Sequence, residues 1–449
     1  MSQNPGIDKK PKAVLVAVQL PGVSDADHEA SLNELERLCT TLGFVTLGRI
    51  SQKRKAIATG TILGEGKLKE LASWTGGTGI VRGFKKEAGD DDDDEERPVP
   101  LLEPEARANV VIFDTEITPT QLRNLEDATG VEVLDRSGVI LEIFSRHARS
   151  REARLQVEIA KLAYLAPRLR ASHVGGDRQG GGIGAKGAGE TAHELDRRRI
   201  RDRIAELRQQ LDAIQHEQNT RRAQRSEIPT VALVGYTNAG KSSLMRALTG
   251  SAVLVEDKLF ATLDTTVRTL QPETVPRILV SDTVGFIKKL PHDLVASFRS
   301  TLDEALNASL LLFTVDASDP SFRSQIEVTQ AVLGEIGANE TPSLLILNKV
   351  DQLEPEEKEA LAQEFPKAIF ISTRNPDDVK RVRELILGFF ETDMIDKTLL
   401  IPYTQGKVLG MIRERARVLQ EKHEEEGTLV TIRAPEDVYA WIEKQLTRG

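Results

Sequence analysis

One cysteine, Cys39, stands in 449 residues, so no intramolecular disulfide can brace this chain. Cys39 falls within a helical pattern, where a buried spectator is expected rather than a reactive thiol. Aromatic residues make up only 4% of the chain, which leaves its cores to be built mainly from aliphatic side chains. No apolar run approaches the roughly 18 residues that a membrane span needs, and Met1–Lys12 lacks the apolar stretch of a secretory signal. A cytoplasmic protein without a membrane span is expected. Positive charge is also in deficit, at a formal net charge of −9, which averaged over the chain would argue against a nucleic-acid partner. That average conceals an uneven distribution. Asp90–Glu96 is an unbroken acidic run, whereas residues 136–225 hold nineteen Lys/Arg against eleven Asp/Glu. The basic stretch therefore has the charge of an RNA-contacting element inside an otherwise acidic chain.

What is present divides into four segments. Residues 1–145 alternate short apolar runs (Ala13–Val18, Phe44–Leu47, Val110–Phe113, Val131–Leu134, Val139–Phe144) with helical patterns, one of them starting at Thr118-Pro119. This predicts a small α/β subdomain with a largely parallel sheet. Its longest interruption, 85–105, contains the acidic run and reads as a disordered, solvated insertion. Over 146–226, Leu155, Ile159, Leu162, Ala166 and Leu169 share a 4-3-4-3 spacing with Ile200, Ile204, Leu207, Leu211 and Ile214. Two helices with matching seams predict an antiparallel hairpin. Its glycine-dense tip, 171–189, includes Gly182-Ile-Gly184-Ala-Lys-Gly187. That sequence fails as a dinucleotide fingerprint because no strand precedes it. Arg168, Arg170, His173, Arg178 and Lys186 at or near the tip are candidate contacts to RNA phosphates, a plain flexible loop being the bland alternative. Residues 229–393 alternate buried strands (Arg277–Ser281, Leu310–Val315, Leu344–Leu347, Ala368–Ser372) with helices, the doubly wound pattern. Residues 397–449 read as β–α–β–α, with one helix running to about His423 and no chemical motif.

The motifs lie in the third segment. Val231–Val234 runs into Gly235-Tyr236-Thr237-Asn238-Ala239-Gly240-Lys241-Ser242 and then a helix, which is the strand–loop–helix of a phosphate-binding loop. Its glycines let successive N–H groups turn toward phosphate oxygens, Lys241 can reach the β- and γ-phosphates, and Ser242 can ligate Mg²⁺. Asp282-Thr283-Val284-Gly285 closes an apolar strand. Asp282 suits the Mg²⁺ shell, and the Gly285 N–H can report whether a γ-phosphate is present. Asn348-Lys349-Val350-Asp351 follows another strand. Guanine offers N1–H and N2–H₂ as adjacent donors that a carboxylate matches and adenine does not, so Asp351 selects GTP over ATP. Lys349 can lie across the base and Asn348 can tie this loop to the phosphate loop. Ser372-Thr373-Arg374 occupies the place of a further guanine-contacting loop. Between the first two motifs lies Phe260-Ala261-Thr262-Leu263-Asp264-Thr265-Thr266, where a mobile threonine that closes on Mg²⁺ is expected; spacing leaves three candidates. Lys241 and Gly285 are the transition-state contacts. Phe286 stands where many small GTPases place a water-orienting glutamine, so hydrolysis by this chain alone should be slow.

These residues resemble the HflX family, translation-factor-class GTPases related to Era and Obg. The likeness extends beyond the nucleotide motifs to Leu134-Asp-Arg-Ser-Gly138, the Arg151–Leu169 helix, Gly180–Gly184, Gly189-Glu190-Thr191 and Asp196-Arg197-Arg198. It implies a P-loop GTPase domain of α/β class, with Ser242 and Thr262 as Mg²⁺ ligands. It also implies a monomeric factor that binds the large ribosomal subunit and ribosomal RNA, splits stalled or idle ribosomes, and is stimulated by the ribosome in turning GTP into GDP. Asn238 matches an asparagine with which related GTPases hold an activating K⁺. The alternatives are a ribosome-bound nucleotide sensor, a large-subunit assembly factor, or an ATP-using RNA remodeller. The tip, Gly184-Ala-Lys-Gly187-Ala, and the long acidic insertion depart from the family pattern.

Overall fold

The computed structural model describes residues 10–81, 103–168, 192–223, 228–251, 259–260, 263, 265–289, 304–392 and 394–448. The chain forms two units. One comprises Met1–Ile214 with Lys258–Phe260 and Lys288–Phe298; the other comprises Gln215–Asp257, Ala261–Ile287 and Arg299–Gly449. Among the described residues no helix is long and apolar enough to cross a membrane.

The first unit is built on four parallel strands in the order β2-β1-β3-β4: β1 (Lys12–Gln19), β2 (Val45–Lys53), β3 (Val110–Phe113) and β4 (Glu132–Asp135). Residues Ala13–Ala17 of β1 are buried on both faces, as a central parallel strand requires. The connecting helices are delimited by local chemistry. In α1 (Asp25–Leu42), Ser24 accepts the Asp27 N–H and Gly43 ends the helix at φ 87°. After α2 (Glu65–Thr75), helix α3 (Pro119–Thr129) starts with a Thr118/Gln121 capping box and proline in its first turn. Val14, Val16, Val111 and Phe113 pack with Leu68, Leu71 and Leu125; burying each of these side chains contributes about 1.5–3 kcal/mol. Cys39 is buried here, and desolvation pushes its thiol up to about 12, so it is inert at neutral pH.

Val139–Phe144 is not a strand. It lies in α4 (Arg136–His147), which Asp135 caps by accepting the Gly138 N–H at 2.8 Å. Val139, Ile140, Leu141, Ile143 and Phe144 are all buried, and a helix covered around most of its girth has the same continuous apolar run as a buried strand. Of the expected insertion 85–105, residues from 103 onward are described. Pro104–Ala106 is a 3₁₀ turn, and Lys12 Nζ donates to the Glu105 carbonyl at 2.6 Å; residues 85–102 lie outside those described. Helices α5 (Arg151–Leu165) and α6 (Ala192–Ala223) share a seam of Leu155, Ile159 and Leu162 with Ile204, Leu207, Leu211 and Ile214, and Arg203 pairs with Glu158 across it at 2.9 Å.

The second unit carries a six-stranded sheet in the order β10-β9-β8-β5-β7-β6. Its strands are β5 (Thr230–Val234), β6 (Thr266–Thr269), β7 (Leu279–Asp282), β8 (Leu310–Asp316), β9 (Ser343–Asn348) and β10 (Ile369–Phe370), parallel except for β6. Helices α7 (Lys241–Thr249), α8 (Phe322–Ile336) and α9 (Pro355–Glu364) fall between these strands, and α10 (Pro376–Glu391) follows β10. The C-terminal region is β–α–β–β–α, not β–α–β–α: β11 (Ile395–Pro402), α11 (Gly406–Arg415), β12 (Arg417–His423), β13 (Gly427–Ala434) and α12 (Glu436–Arg448), with antiparallel order β11-β13-β12. Helix-forming Gln420, Glu421 and Lys422 were expected to extend α11. Pairing with β13 overrides that propensity, and Glu424 N–H to Gly427 O at 2.9 Å closes the hairpin.

Candidate nucleotide site

In an open α/β sheet, ligands bind beyond the carboxyl ends of the strands where the winding reverses. Here that point lies between β5 and β8, and Gly235–Ser242 follows β5 directly. Two glycines make the loop possible for reasons beyond flexibility. Gly235 lies at φ 145°, and a Cβ there would stand 2.1 Å from the Thr314 carbonyl. Gly240 lies at φ 93°, with a Cβ 2.1 Å from Asn348 Nδ2. The loop is thus pressed against β8 on one side and the Asn348 loop on the other. Asn238 also takes a positive φ, 61°.

Lys241 opens α7, buried, with its Nζ donating to the Gly235 carbonyl at 3.1 Å and the Tyr236 carbonyl at 2.9 Å. Burial lowers its ammonium to about 8, partly opposed by the nearby Asp282 carboxylate. An amine this desolvated, beside the N-terminus of a nine-residue helix, is a strong point for anion capture. Ser242 Oγ donates to Asp282 Oδ2 at 2.7 Å, and Asp282 is fully buried at the end of β7. A hydroxyl and a carboxylate so close form the hard-oxygen set that suits Mg²⁺. No group of three or more His, Cys, Asp or Glu that could hold a metal occurs among the described residues, and a hydroxyl-based site needs none.

The Asp282–Gly285 segment is stitched to the loop. Thr283 Oγ1 donates to the Leu233 carbonyl at 2.7 Å. The Thr237 N–H donates to Phe286 O at 2.8 Å and the Phe286 N–H to Gly235 O at 3.2 Å, a short parallel bridge. A Cβ on Gly285 would meet Thr237 Cα at 2.7 Å and Lys241 Nζ at 3.0 Å, so only glycine lets this strand end touch the loop. Phe286 is 2% exposed; its ring is committed to packing and offers no group to orient water.

On the base side, Asn348 Nδ2 donates to Ala239 O at 2.9 Å, while its Oδ1 accepts the Thr373 N–H at 3.2 Å. One side chain therefore joins three loops: Ala239, its own, and Ser372–Arg374. Lys349, at φ 61°, ion-pairs with Asp316 Oδ2 at 2.6 Å. Asp316 was not picked out from the sequence, although its position at the carboxyl end of β8 was the available signal. Asp351 lies in the Val350–Gln352 3₁₀ turn with Arg374 3.6 Å from its carboxylate. Ser372 accepts the Arg374 N–H, and Asp378 accepts the Ser372 N–H, so that loop is held by its own polar groups.

Other sequence candidates are placed differently. Ala261, Thr262 and Asp264 lie outside the described residues, while Leu263 is buried. Phe260 belongs to the first unit, where its ring meets Phe144 edge-on at 4.6 Å. Arg168 is not presented to a partner. It ion-pairs with Asp135 at 2.6 Å, stacks 3.5 Å from the Tyr164 ring centre and donates to the Ile117 carbonyl. Asp135 accepts from Ile117, Gly138, Tyr164 and Arg168 together, and so ties β4 to the root of the hairpin tip. Arg170, His173, Arg178 and Lys186 lie outside the described residues.

A phosphate loop after the central strand, a buried carboxylate facing its serine and a guanine-matching Asn-Lys-x-Asp turn together define a P-loop GTPase. The chain matches three family models: GTP-binding GTPase N-terminal over 29–81 and 100–145, GTP-binding GTPase Middle Region over 147–225, and 50S ribosome-binding GTPase over 230–349. It is 58% identical to a GTPase HflX of Gluconacetobacter diazotrophicus over 94% of this chain and 95% of that one. It is 37% identical to the Escherichia coli GTPase HflX over 95% and 94%. The chain belongs to the HflX family of GTPases. Among solved structures it is similar to a GTP-binding protein from Sulfolobus solfataricus in complex with GDP, at 23% identity and a TM-score of 0.42, covering 84% of this chain and 99% of that one.

Proposed function

We propose that this GTPase binds the large ribosomal subunit, separates stalled or idle ribosomes, and uses GTP hydrolysis to reset itself for release. The observation that carries the reading is a basic helical hairpin joined to a guanine-nucleotide site. Residues 136–225 hold the excess of Lys/Arg over Asp/Glu, and Arg197, Arg198, Arg199 and Arg201 line one exposed stretch of α6. Such a stretch suits ribosomal RNA phosphates, with Arg170, His173, Arg178 and Lys186 as further contacts. The family description over 230–349, which speaks of 50S ribosome binding, supports the same partner.

In this reading the chain works as a cytoplasmic monomer. Lys241 and the loop N–H groups hold the phosphates and Asp351 the guanine, while Ser242 and Thr262 would hold Mg²⁺ and Asn238 would hold K⁺. Mg²⁺ bound there would neutralise phosphate charge. Gly285 reports the γ-phosphate through its N–H. Phe286 supplies no water-orienting group, so turnover is slow until the ribosome completes the site. The test is incubation of intact ribosomes with the chain in a non-hydrolysable GTP analogue, GDP or no nucleotide, followed by gradient sedimentation. The expected result is subunit separation in the analogue, with the chain on the large subunit. Binding to free large subunits alone, with intact ribosomes untouched, would overturn splitting.

A further inference from the structure

A cavity of about 490 Å³ opens at the amino end of β7, the opposite end of that strand from Asp282. One wall is the turn between β6 and β7, with Val275 and Ile278 facing the space. A second is the end of α10, with Leu387 and Phe390. The third is the passage from α11 into β12, with Ala416 and Val418. All three belong to the second unit. The apolar lining has a physical origin. Leu387 and Phe390 flank the core of the six-stranded sheet and Val418 flanks that of the C-terminal region, so two cores meet here without closing on each other. The volume falls within the roughly 300–1,000 Å³ of small-molecule sites.

Most of the charge around the cavity is neutralised. Arg413 pairs with Glu421 at 2.7 Å, Arg417 with Glu391 at 2.5 Å, and Glu273 lies 3.8 Å from Arg277. Arg383 is different. Half-buried on α10 and lining the cavity, it donates from Nε to the Gln271 carbonyl at 3.2 Å and from Nη2 to the Pro272 carbonyl at 3.1 Å. Among the described residues it makes no ion pair with a carboxylate. The two carbonyls fix the guanidinium without cancelling its charge, and they use two of its five N–H groups. A fixed planar cation at the wall of an apolar cavity is complementary to an oxyanion carried on an apolar body.

We propose that this cavity binds a small amphipathic anion, with a carboxylate-like group on Arg383 and an apolar body between α10 and β12. The site shares no residue with the nucleotide motifs and requires no ribosome, so it stands or falls independently of the splitting reading.

The test titrates the full chain with anilinonaphthalene sulfonate, an apolar dye with one anionic group whose fluorescence rises in apolar surroundings. GDP is present in excess so that the nucleotide site is filled. The expected result is one saturable dye site, from which decanoate displaces the dye at least about tenfold better than decanol, because only the carboxylate meets the guanidinium. Arg383→Met should weaken dye binding on the order of tenfold. Met394→Trp fills the cavity from the link between α10 and β11, leaves Arg383 in place, and should weaken the dye by at least as much. It keeps the test decisive should the arginine variant loosen the β6–β7 turn. Retained GDP binding reports that each variant is folded. No saturable dye binding, equal competition by decanoate and decanol, or parental dye affinity in either folded variant overturns the proposal.

Discussion

Adding one methyl group at Gly285 tests the contact on which the chemistry of the site turns. In Gly285→Ala the new Cβ would stand 2.7 Å from Thr237 Cα, a backbone atom that cannot swing aside. Ordinary contact begins near 3.4 Å, so the two segments must separate by roughly 0.7 Å. Two backbone hydrogen bonds hold them, Thr237 N–H to Phe286 O at 2.8 Å and Phe286 N–H to Gly235 O at 3.2 Å, and that separation takes both to or beyond the limit of a useful bond. At about 1 kcal/mol each, their loss withdraws about 2 kcal/mol of organisation from the segment proposed to meet the γ-phosphate. Each 1.36 kcal/mol is about tenfold in rate, so turnover should fall on the order of 10- to 100-fold. GDP affinity should change only a few-fold, because the phosphate loop and Asp351 stay in place. Single-turnover GTP hydrolysis, beside a titration with fluorescent GDP, measures both. Hydrolysis at the parental rate would refute the close approach of Gly285 to the loop as the working geometry.

Two further perturbations address the other ends of the nucleotide. Lys241 titrates near 8 in the free chain, and bound phosphates must raise that value. GDP, whose terminal phosphate ionises at about 6, should therefore bind about twofold more weakly at pH 8 and about tenfold more weakly at pH 9 than at pH 7. Because the folded value lies below the unfolded 10.5, the stability of the nucleotide-free chain should rise with pH over the interval from 8 to 10.5, opposite in sign to the affinity. A flat affinity from pH 7 to 9 would remove Lys241 as the phosphate contact. At the base, Asp351→Asn replaces an acceptor pair by one donor and one acceptor, which no longer matches guanine but matches the carbonyl and N–H of xanthine. Competition binding should show preference moving from GTP to the xanthine nucleotide by at least about 100-fold, and retained guanine selectivity would displace Asp351 from that role.

What could be recognised from the sequence was local. A strand, Gly235–Ser242 and a helix are contiguous, and glycines, lysine and serine at fixed offsets specify backbone curvature wherever the segment sits. Asp282–Gly285 and Asn348–Asp351 were legible for the same reason, each closing an apolar strand of a doubly wound pattern. Local signals misled where burial on several sides hid the period, as in Val139–Phe144, or where pairing overrode propensity, as in Arg417–His423. Arg168 illustrates a third limit: a basic residue beside a basic tip reads as a phosphate contact until Asp135, 33 residues earlier, is seen to hold it. The sequence by itself thus determined the nucleotide class, guanine selectivity and the order of the segments, because these depend on short stretches whose geometry the residues themselves impose. Only the tertiary structure decided why Gly235, Gly240 and Gly285 admit no side chain, since Thr314, Asn348 and Thr237 arrive from other parts of the fold. It alone brought Lys289 to Asp114 across 175 residues, a pairing that depends on which strand ends the fold gathers and that no spacing along the chain encodes.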